Sequence, residues 1–233
     1  MRKLAHWIFP RFCYIPTTKK INVCRLTDRR GVGMARPRLD SIKIPTRQRI
    51  LKAAEHHFAV AGFAEASLAD IAGDAGIRRA SLLYHFESKQ SLYQSVLETL
   101  FKALAESLSQ HFLPTASFEE RMLGLTKAYL DFLSERPAFA ALVVRDIIDD
   151  RGEIRNQIGD YFEPVINTIE SWVEREGKGK VAPGLDVRAA LLLIGSDALL
   201  RRASGPLGDR LWGPTERSLE FSRQLFFGAH KPS

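Results

Sequence analysis

The sequence has few cysteines, no apolar run long enough to span a membrane and no stretch with the alternation of a β-strand. Its two cysteines, Cys13 and Cys24, have ten residues between them and lack the C-x-x-C spacing of a zinc site. The catalytic patterns G-x-S-x-G and H-E-x-x-H and a glycine-rich nucleotide loop are also missing. We therefore predict a cytoplasmic protein that is not an enzyme, with no disulfide, metal, cofactor or membrane partner.

The positive charge is concentrated at the N-terminus. Residues 1–33 contain eight Lys or Arg and one Asp, so they account for the formal net charge of +7. Residues 1–33 show no helical periodicity, and the apolar run from Leu4 to Phe9 is too short for a signal peptide. We predict that residues 1–40 are a basic, disordered extension. The alternatives are that translation starts at Met34, or that the segment is an arm that adds non-specific DNA affinity. For Arg36-Pro37-Arg38, the two interpretations are a contact in the minor groove and a solvated basic linker.

The stretch from Ser67 to Lys89 has the pattern of a helix-turn-helix. Ser67 and Asp70 form a capping box at a helix start, and Gly76 ends that helix. A second short helix over residues 78–86 turns Leu82 and Phe86 inward. In such a motif the second helix enters the major groove of DNA.

The region from Arg49 to Leu92 resembles the DNA-binding domain of TetR-family transcriptional regulators. The matching residues are Ile50-Leu51, Ala53-Ala54, Phe58, Gly62-Phe63, Ser67, Ile71-Ala72, Ala75-Gly76-Ile77, Ser81-Leu82, Tyr84-His85-Phe86, Ser88-Lys89 and Leu92. The resemblance implies an all-α fold with a three-helix DNA-binding domain over residues 44–92, its motif at 67–86. A C-terminal helical domain for ligand binding and dimerisation would cover residues 93–233.

The resemblance also implies which residues face DNA. Those matching positions that face base edges are Arg79, Ala80, Ser81 and Tyr84, and those matching phosphate contacts are Ser67, His85 and Lys89. Arg78 stands where a capping Ser or Thr is usual, Ala80 where Gly is usual, and Leu83 where a phosphate-contacting Tyr is usual. Arg78 and Arg79 lie at a helix N-terminus, where the helix dipole disfavours cations, so we interpret both as DNA contacts, with solvated surface charges as the alternative.

Helical periodicity continues to the end of the chain, and we predict about nine helices. Beyond the motif they are expected near residues 88–111, 117–134, 137–149, 154–176, 186–203 and 215–227, with one helix before it at 46–61. Ser88, Ser117 with Glu120, and Asp186 are predicted to cap three of them. A gap with Gly205-Pro206 and Gly213-Pro214 separates the last two helices.

The C-terminal part supplies candidates for a ligand pocket and a dimer interface. The pocket candidates are Phe132, Phe139, Tyr161, Phe162 and Trp172, although for each of them plain core packing is the favoured interpretation. The run from Ala189 to Leu200 is apolar nearly all round, and a four-helix bundle with a second copy would bury it. The interface candidates are Leu192, Ile194, Leu199, Leu219 and Leu225.

These features together predict a dimeric repressor that binds a palindromic double-stranded operator and is released by an unknown small-molecule effector. The alternatives are a regulator controlled by a protein partner or constitutively bound to DNA and, less favoured, a small all-helical enzyme.

Overall fold

The computed structural model describes residues 44–148 and 152–228, except the side chains of residues 152–157. Within these ranges the chain folds into ten α-helices and one short 3-10 helix, with no strand. The helices are α1 (Thr46–Glu65), α2 (Leu68–Asp74), α3 (Arg79–His85), α4 (Lys89–Ser109), α5 (Phe118–Glu135), α6 (Pro137–Ile148), α7 (Gly152–Glu176), α8 (Val187–Ala203), α9 (Pro206–Trp212) and α10 (Glu216–Phe227).

Local capping starts three of these helices where the sequence predicted it. Ser88 caps α4, Ser117 caps α5 in a capping box with Glu120, and the Asp186 side chain accepts a hydrogen bond from the Ala189 amide at the start of α8. Because the first amides of a helix have no partner within the helix, these side chains supply the acceptors.

The regular part of α1 ends near residue 61, as predicted. Gly62 has a non-helical backbone and kinks the chain, and a short helical segment then continues to Glu65. Gly62 has a φ of 79°, a left-handed conformation that residues with a Cβ rarely adopt. An added Cβ would also approach the Arg145 side chain of α6 to 2.9 Å. The backbone conformation at this kink therefore requires glycine, and a larger residue would also displace the Arg145 side chain.

The helix-turn-helix consists of α2 and α3 braced by α1. Ile50, Ile71 and Leu82 are fully buried, one from each helix, so their side chains form a small core of this region. Gly76 has a φ of 67° in the turn between α2 and α3. The predicted inward direction of Leu82 and Phe86 is confirmed, because both are buried.

Helix α9 was not predicted, because the two Gly-Pro pairs at residues 205–206 and 213–214 indicated a non-helical connection between the last two helices. Its N-terminus is Pro206, whose fixed φ suits the first turn of a helix. The helix packs on α8, and a Cβ at Gly208 would lie 2.0 Å from the Arg201 carbonyl oxygen. The Trp212 indole donates a hydrogen bond of 2.6 Å to Asp197 of α8. Contacts remote in sequence thus stabilise a helix that local patterning does not predict.

The longest helices surround the core of the C-terminal part. Helix α4 follows the motif directly and packs against α1, α5 and α7, while α6 packs against both α1 and α8. The DNA-binding region and the C-terminal helices are therefore in direct contact through α4 and α6. The domain boundary near residue 92 stays a prediction. In the described residues, no helix is long and apolar enough to cross a membrane.

Some predictions fall on residues that the structure does not describe. The basic extension over residues 1–40, the alternative start at Met34 and the Arg36-Pro37-Arg38 segment lie outside the described residues.

Candidate nucleic-acid interface

Helix α3 has one side buried against the protein and the opposite side exposed to solvent. Leu82 is fully buried and Phe86 nearly so, whereas Tyr84 is 86% exposed. The other residues predicted to face DNA from this segment are also exposed: Arg78, Arg79, Ala80, Ser81 and His85. The structure therefore brings six of the eight predicted DNA contacts together on the accessible surface of one helix. Arg78 is the N-cap residue of α3, and its guanidinium, which has only hydrogen-bond donors, does not cap the helix amides.

Ser67 is placed at the N-terminus of α2, where its side chain is partly engaged. Its hydroxyl oxygen accepts hydrogen bonds from the amides of Ala69 and Asp70, at 3.2 and 3.4 Å. The hydroxyl hydrogen stays free to be donated to a phosphate oxygen. Ser67 can thus cap the helix and contact DNA at the same time.

Lys89 has a structural partner that sequence reasoning missed. Its ammonium group donates a hydrogen bond of 2.6 Å to the Ala64 carbonyl oxygen and lies 5.1 Å from the centre of the Phe63 ring. Ala64 is in the last turn of α1, where carbonyl groups lack helical partners and a cation is favoured by the helix dipole. Lys89 therefore joins the start of α4 to the end of α1, a role that the one-dimensional motif does not reveal.

Two further contacts hold the helices of the motif in place. His57 of α1 and Asp74 at the end of α2 approach to 2.6 Å between Nε2 and Oδ2. The Arg47 guanidinium lies 5.0 Å from the centre of the Phe86 ring. These contacts fix the orientation of α2 and α3 relative to α1. Nothing in the linear sequence around His57 predicted its pairing with Asp74.

Four of the five predicted pocket residues form one aromatic cluster, which we call the α4–α7 cluster. Its centre is Phe101 of α4, a residue that the sequence analysis did not select. Phe139, Tyr161 and Phe162 lie 5.3, 5.0 and 4.8 Å from Phe101 between ring centres. Phe132 joins them through Phe139, at 5.2 Å. Burial and the nearby carboxylates Glu98 and Asp160 raise the pKa of the Tyr161 hydroxyl, so it stays a neutral hydrogen-bond donor.

Trp172 belongs to a different group of side chains. Its ring packs against Phe112 and Phe118, with centres 5.4 and 4.8 Å away, and under the Arg121 guanidinium. Arg121 forms an ion pair of 2.6 Å with Glu176 and donates a hydrogen bond to the Phe112 carbonyl. The Arg121 hydrogen bond lowers the pKa of the Glu176 carboxyl group. Trp172 therefore lies beside a partly exposed ion pair that links α5 to α7, apart from the other predicted pocket residues.

The predicted dimer residues divide between the surface and the core. Leu192 is 53% exposed, whereas Ile194 and Leu199 are buried within the same chain. Leu219 and Leu225 are partly buried against that core. The apolar side chains that α8–α10 leave exposed are Leu192, Leu193, Leu200, Leu207, Leu211 and Phe221. We call this set the α8–α10 face. Its side chains are accessible to a second copy, whereas Ile194 and Leu199 are covered by their own chain, and the assignment of the interface stays a prediction.

Comparison with known proteins agrees with this arrangement. The sequence model of bacterial regulatory proteins of the tetR family matches residues 50–96. The HTH-type transcriptional regulator TtgR of Pseudomonas putida is 30% identical over 169 residues, which cover 67% of this chain and 79% of TtgR. The chain belongs to the TetR family of bacterial regulatory proteins. It is accordingly a helix-turn-helix protein that binds DNA and regulates transcription.

Other family members match over different lengths. SrpR of P. putida, also an HTH-type transcriptional regulator, is 30% identical over 129 residues, which cover 53% of this chain and 59% of SrpR. The crystal structure of FadR from Bacillus subtilis in complex with stearoyl-CoA superposes with a TM-score of 0.65 at 19% identity, covering 78% of this chain and 99% of FadR. This structural similarity extends the family fold to the C-terminal helices.

Proposed function

We propose that this regulator is a repressor that binds a palindromic operator as a homodimer in the cytoplasm and leaves it when a small molecule binds the C-terminal part. The observation that carries the DNA-binding half is the exposed outer surface of α3 on its buried Leu82 and Phe86 anchors. Such a helix can enter a major groove without losing core contacts. Its exposed arginines supply charge for phosphates and paired donors for guanine.

The position of the α4–α7 cluster supports control by a ligand. Helix α4 begins at Lys89, which contacts the end of α1, and the same helix carries Phe101 at the centre of the cluster. A ligand that separates these rings would move α4 and with it the supports of α3. It releases DNA only if it binds the DNA-free conformation more tightly, and coupling of this kind is typically about 1–3 kcal/mol.

The chemistry of the cluster favours an apolar effector. Five aromatic rings come together there, and the Tyr161 hydroxyl adds a hydrogen-bond donor. Apolar pockets with few polar groups are usual for small-molecule sites. FadR of B. subtilis was crystallised with stearoyl-CoA, so an acyl-CoA belongs in the set of compounds to be tested.

A homodimer would bury the α8–α10 face and set the distance between two α3 helices. Two-fold protein symmetry requires an operator with two inverted half-sites. The exposed apolar side chains of this face support the proposal, since three come from α8, two from α9 and one from α10, and covering them with a second copy would remove apolar surface from water.

The experiment that tests this function is selection of bound sequences from random double-stranded DNA by the purified full chain. We expect an enriched inverted repeat, and we expect one compound of a metabolite panel to raise the melting temperature and release that DNA. Failure to enrich any sequence would contradict operator binding. Enrichment without any releasing compound would favour the alternative of a regulator controlled by a protein partner or constitutively bound.

A further inference from the structure

We propose that Leu83 and Ala80 recognise the 5-methyl group of a thymine in each operator half-site. This inference rests on the proposed operator binding and specifies part of its sequence. It starts from three apolar or aromatic side chains that α3 exposes to solvent: Ala80, Leu83 and Tyr84.

These three residues share one side of the helix. Successive residues of an α-helix are separated by about 100° around the helix axis. Ala80 and Tyr84 therefore lie opposite the buried Leu82. Together with Leu83 they occupy one sector of about 100°. Arg79 borders this sector next to Leu83, while Ser81 and His85 lie on its other side. The centre of the surface that meets DNA is thus apolar, with hydrogen-bonding groups at its edges.

Leu83 lies on the outer side of α3. It keeps 37% of its surface exposed, whereas its neighbour Leu82 is fully buried. In the proposed complex α3 enters the major groove, so the exposed part of Leu83 would face base edges and would leave water only against an apolar group of the DNA.

Only one base offers an apolar group in the major groove. Thymine carries a methyl group at C5, whereas adenine, guanine and cytosine present hydrogen-bond donors and acceptors, or a bare C–H edge in the case of cytosine. The small side chain of Ala80 leaves room for that methyl group beside Leu83, one turn further along the helix. We infer that the thymine contacts these two side chains and that a guanine next to it contacts Arg79.

Replacing thymine by deoxyuridine tests this contact, because it removes only the methyl group. Once selection has identified the operator, each thymine of one half-site is replaced in turn and the dissociation constant is measured with the full chain. We expect about a fourfold loss at one thymine, the factor for one methyl group removed from water, and about sixteenfold when both half-sites are changed. The Leu83→Ala variant should lose most of this discrimination between thymine and uracil, because Ala80 alone keeps contact with the methyl group.

The matched control is Leu113→Ala. Leu113 has the same exposed fraction of 37% but follows α4 and lies outside the DNA-binding region. This variant should keep both the affinity and the discrimination between thymine and uracil, and circular dichroism should show that both variants are folded.

The possible failures can be told apart. A selected half-site without thymine, no loss with uracil at any position, or unchanged discrimination in Leu83→Ala would overturn this inference and leave operator binding intact. Absence of any selected sequence would instead overturn the proposed function, and this inference with it.

Discussion

The Lys89 ammonium group donates a hydrogen bond of 2.6 Å to the backbone carbonyl of Ala64. A residue that matches a phosphate contact in the family motif thereby also stabilises the end of α1. The two roles are compatible in charge, because a cation that is favoured at a helix C-terminus also attracts a phosphate. They are also separable by experiment.

For Lys89, we predict that Lys89→Met lowers the free energy of unfolding by about 1 kcal/mol, because a cation and a donor are lost at a helix C-terminus. Methionine keeps much of the apolar stem over Phe63. The same variant should weaken binding to all DNA sequences alike and reduce the salt dependence by about one phosphate contact. Urea unfolding and titrations at several salt concentrations measure the two effects. An unchanged unfolding free energy would mean that the contact with Ala64 contributes nothing in solution.

For Arg79, we predict that Arg79→Ala costs about 1–3 kcal/mol of binding free energy and relaxes the preference at one base pair per half-site. The exposed guanidinium at the start of α3 can donate two hydrogen bonds to a guanine. Selection from random DNA with the variant measures the preference. Arg175→Ala, which removes an exposed arginine near the end of α7, should change neither quantity. A uniform loss of affinity with unchanged preference would make Arg79 a phosphate contact.

For the dimer, Leu192 and Leu199 provide a contrasting pair on α8. Leu192→Glu puts a charge on the α8–α10 face, so we expect a folded monomer with weak operator binding. Leu199 is only 7% exposed within the chain. Leu199→Glu should therefore destabilise the fold itself, because it buries an unpaired carboxylate. Light scattering and circular dichroism distinguish the two outcomes, and a Leu192→Glu variant that is still dimeric would refute the interface.

For effector release, Phe162 is the informative position because it is only partly buried in the α4–α7 cluster. We predict that Phe162→Ala keeps operator affinity but no longer responds to the panel compound that releases DNA from the unaltered chain. Phe227→Ala is the matched control, since Phe227 is partly buried beside Phe118 in the other aromatic group. Loss of response in both variants would indicate general loosening instead of a site at the cluster.

The ion pair between Arg121 and Glu176 predicts a dependence of stability on pH. The pKa of Glu176 is lowered from its ordinary value of 4.5 in the folded chain, so the unfolded chain binds this proton first as the pH falls. The ion pair therefore stabilises the fold above about pH 4.5, and this stabilisation is lost as the pH falls through the pKa of Glu176 in the folded chain. Urea midpoints at about pH 6 and about pH 3.5 should therefore differ less in Glu176→Gln than in the unaltered chain. Glu174→Gln, an exposed carboxylate on the same helix, should preserve the full difference.

The sequence by itself determined the all-α class of the fold and which side of α3 faces the core. The capping side chains of Ser88, Ser117 and Asp186 act on amides within three residues, so a linear pattern contains all the information needed. The inward positions of Leu82 and Phe86 also follow from helical spacing alone. The family motif added which outward positions meet DNA, and that assignment stays a prediction.

Tertiary structure decided everything that depends on a partner remote in the sequence. Helix α8 is apolar on nearly every side, so periodicity could not show that Leu199 faces its own chain while Leu192 faces outward. Aromatic residues look alike in the sequence, yet only packing separates Trp172 from the cluster around Phe101. Lys89 reaches Ala64 across 25 residues. In each case a local pattern specifies an apolar or charged residue, but only the neighbouring helices determine what it contacts.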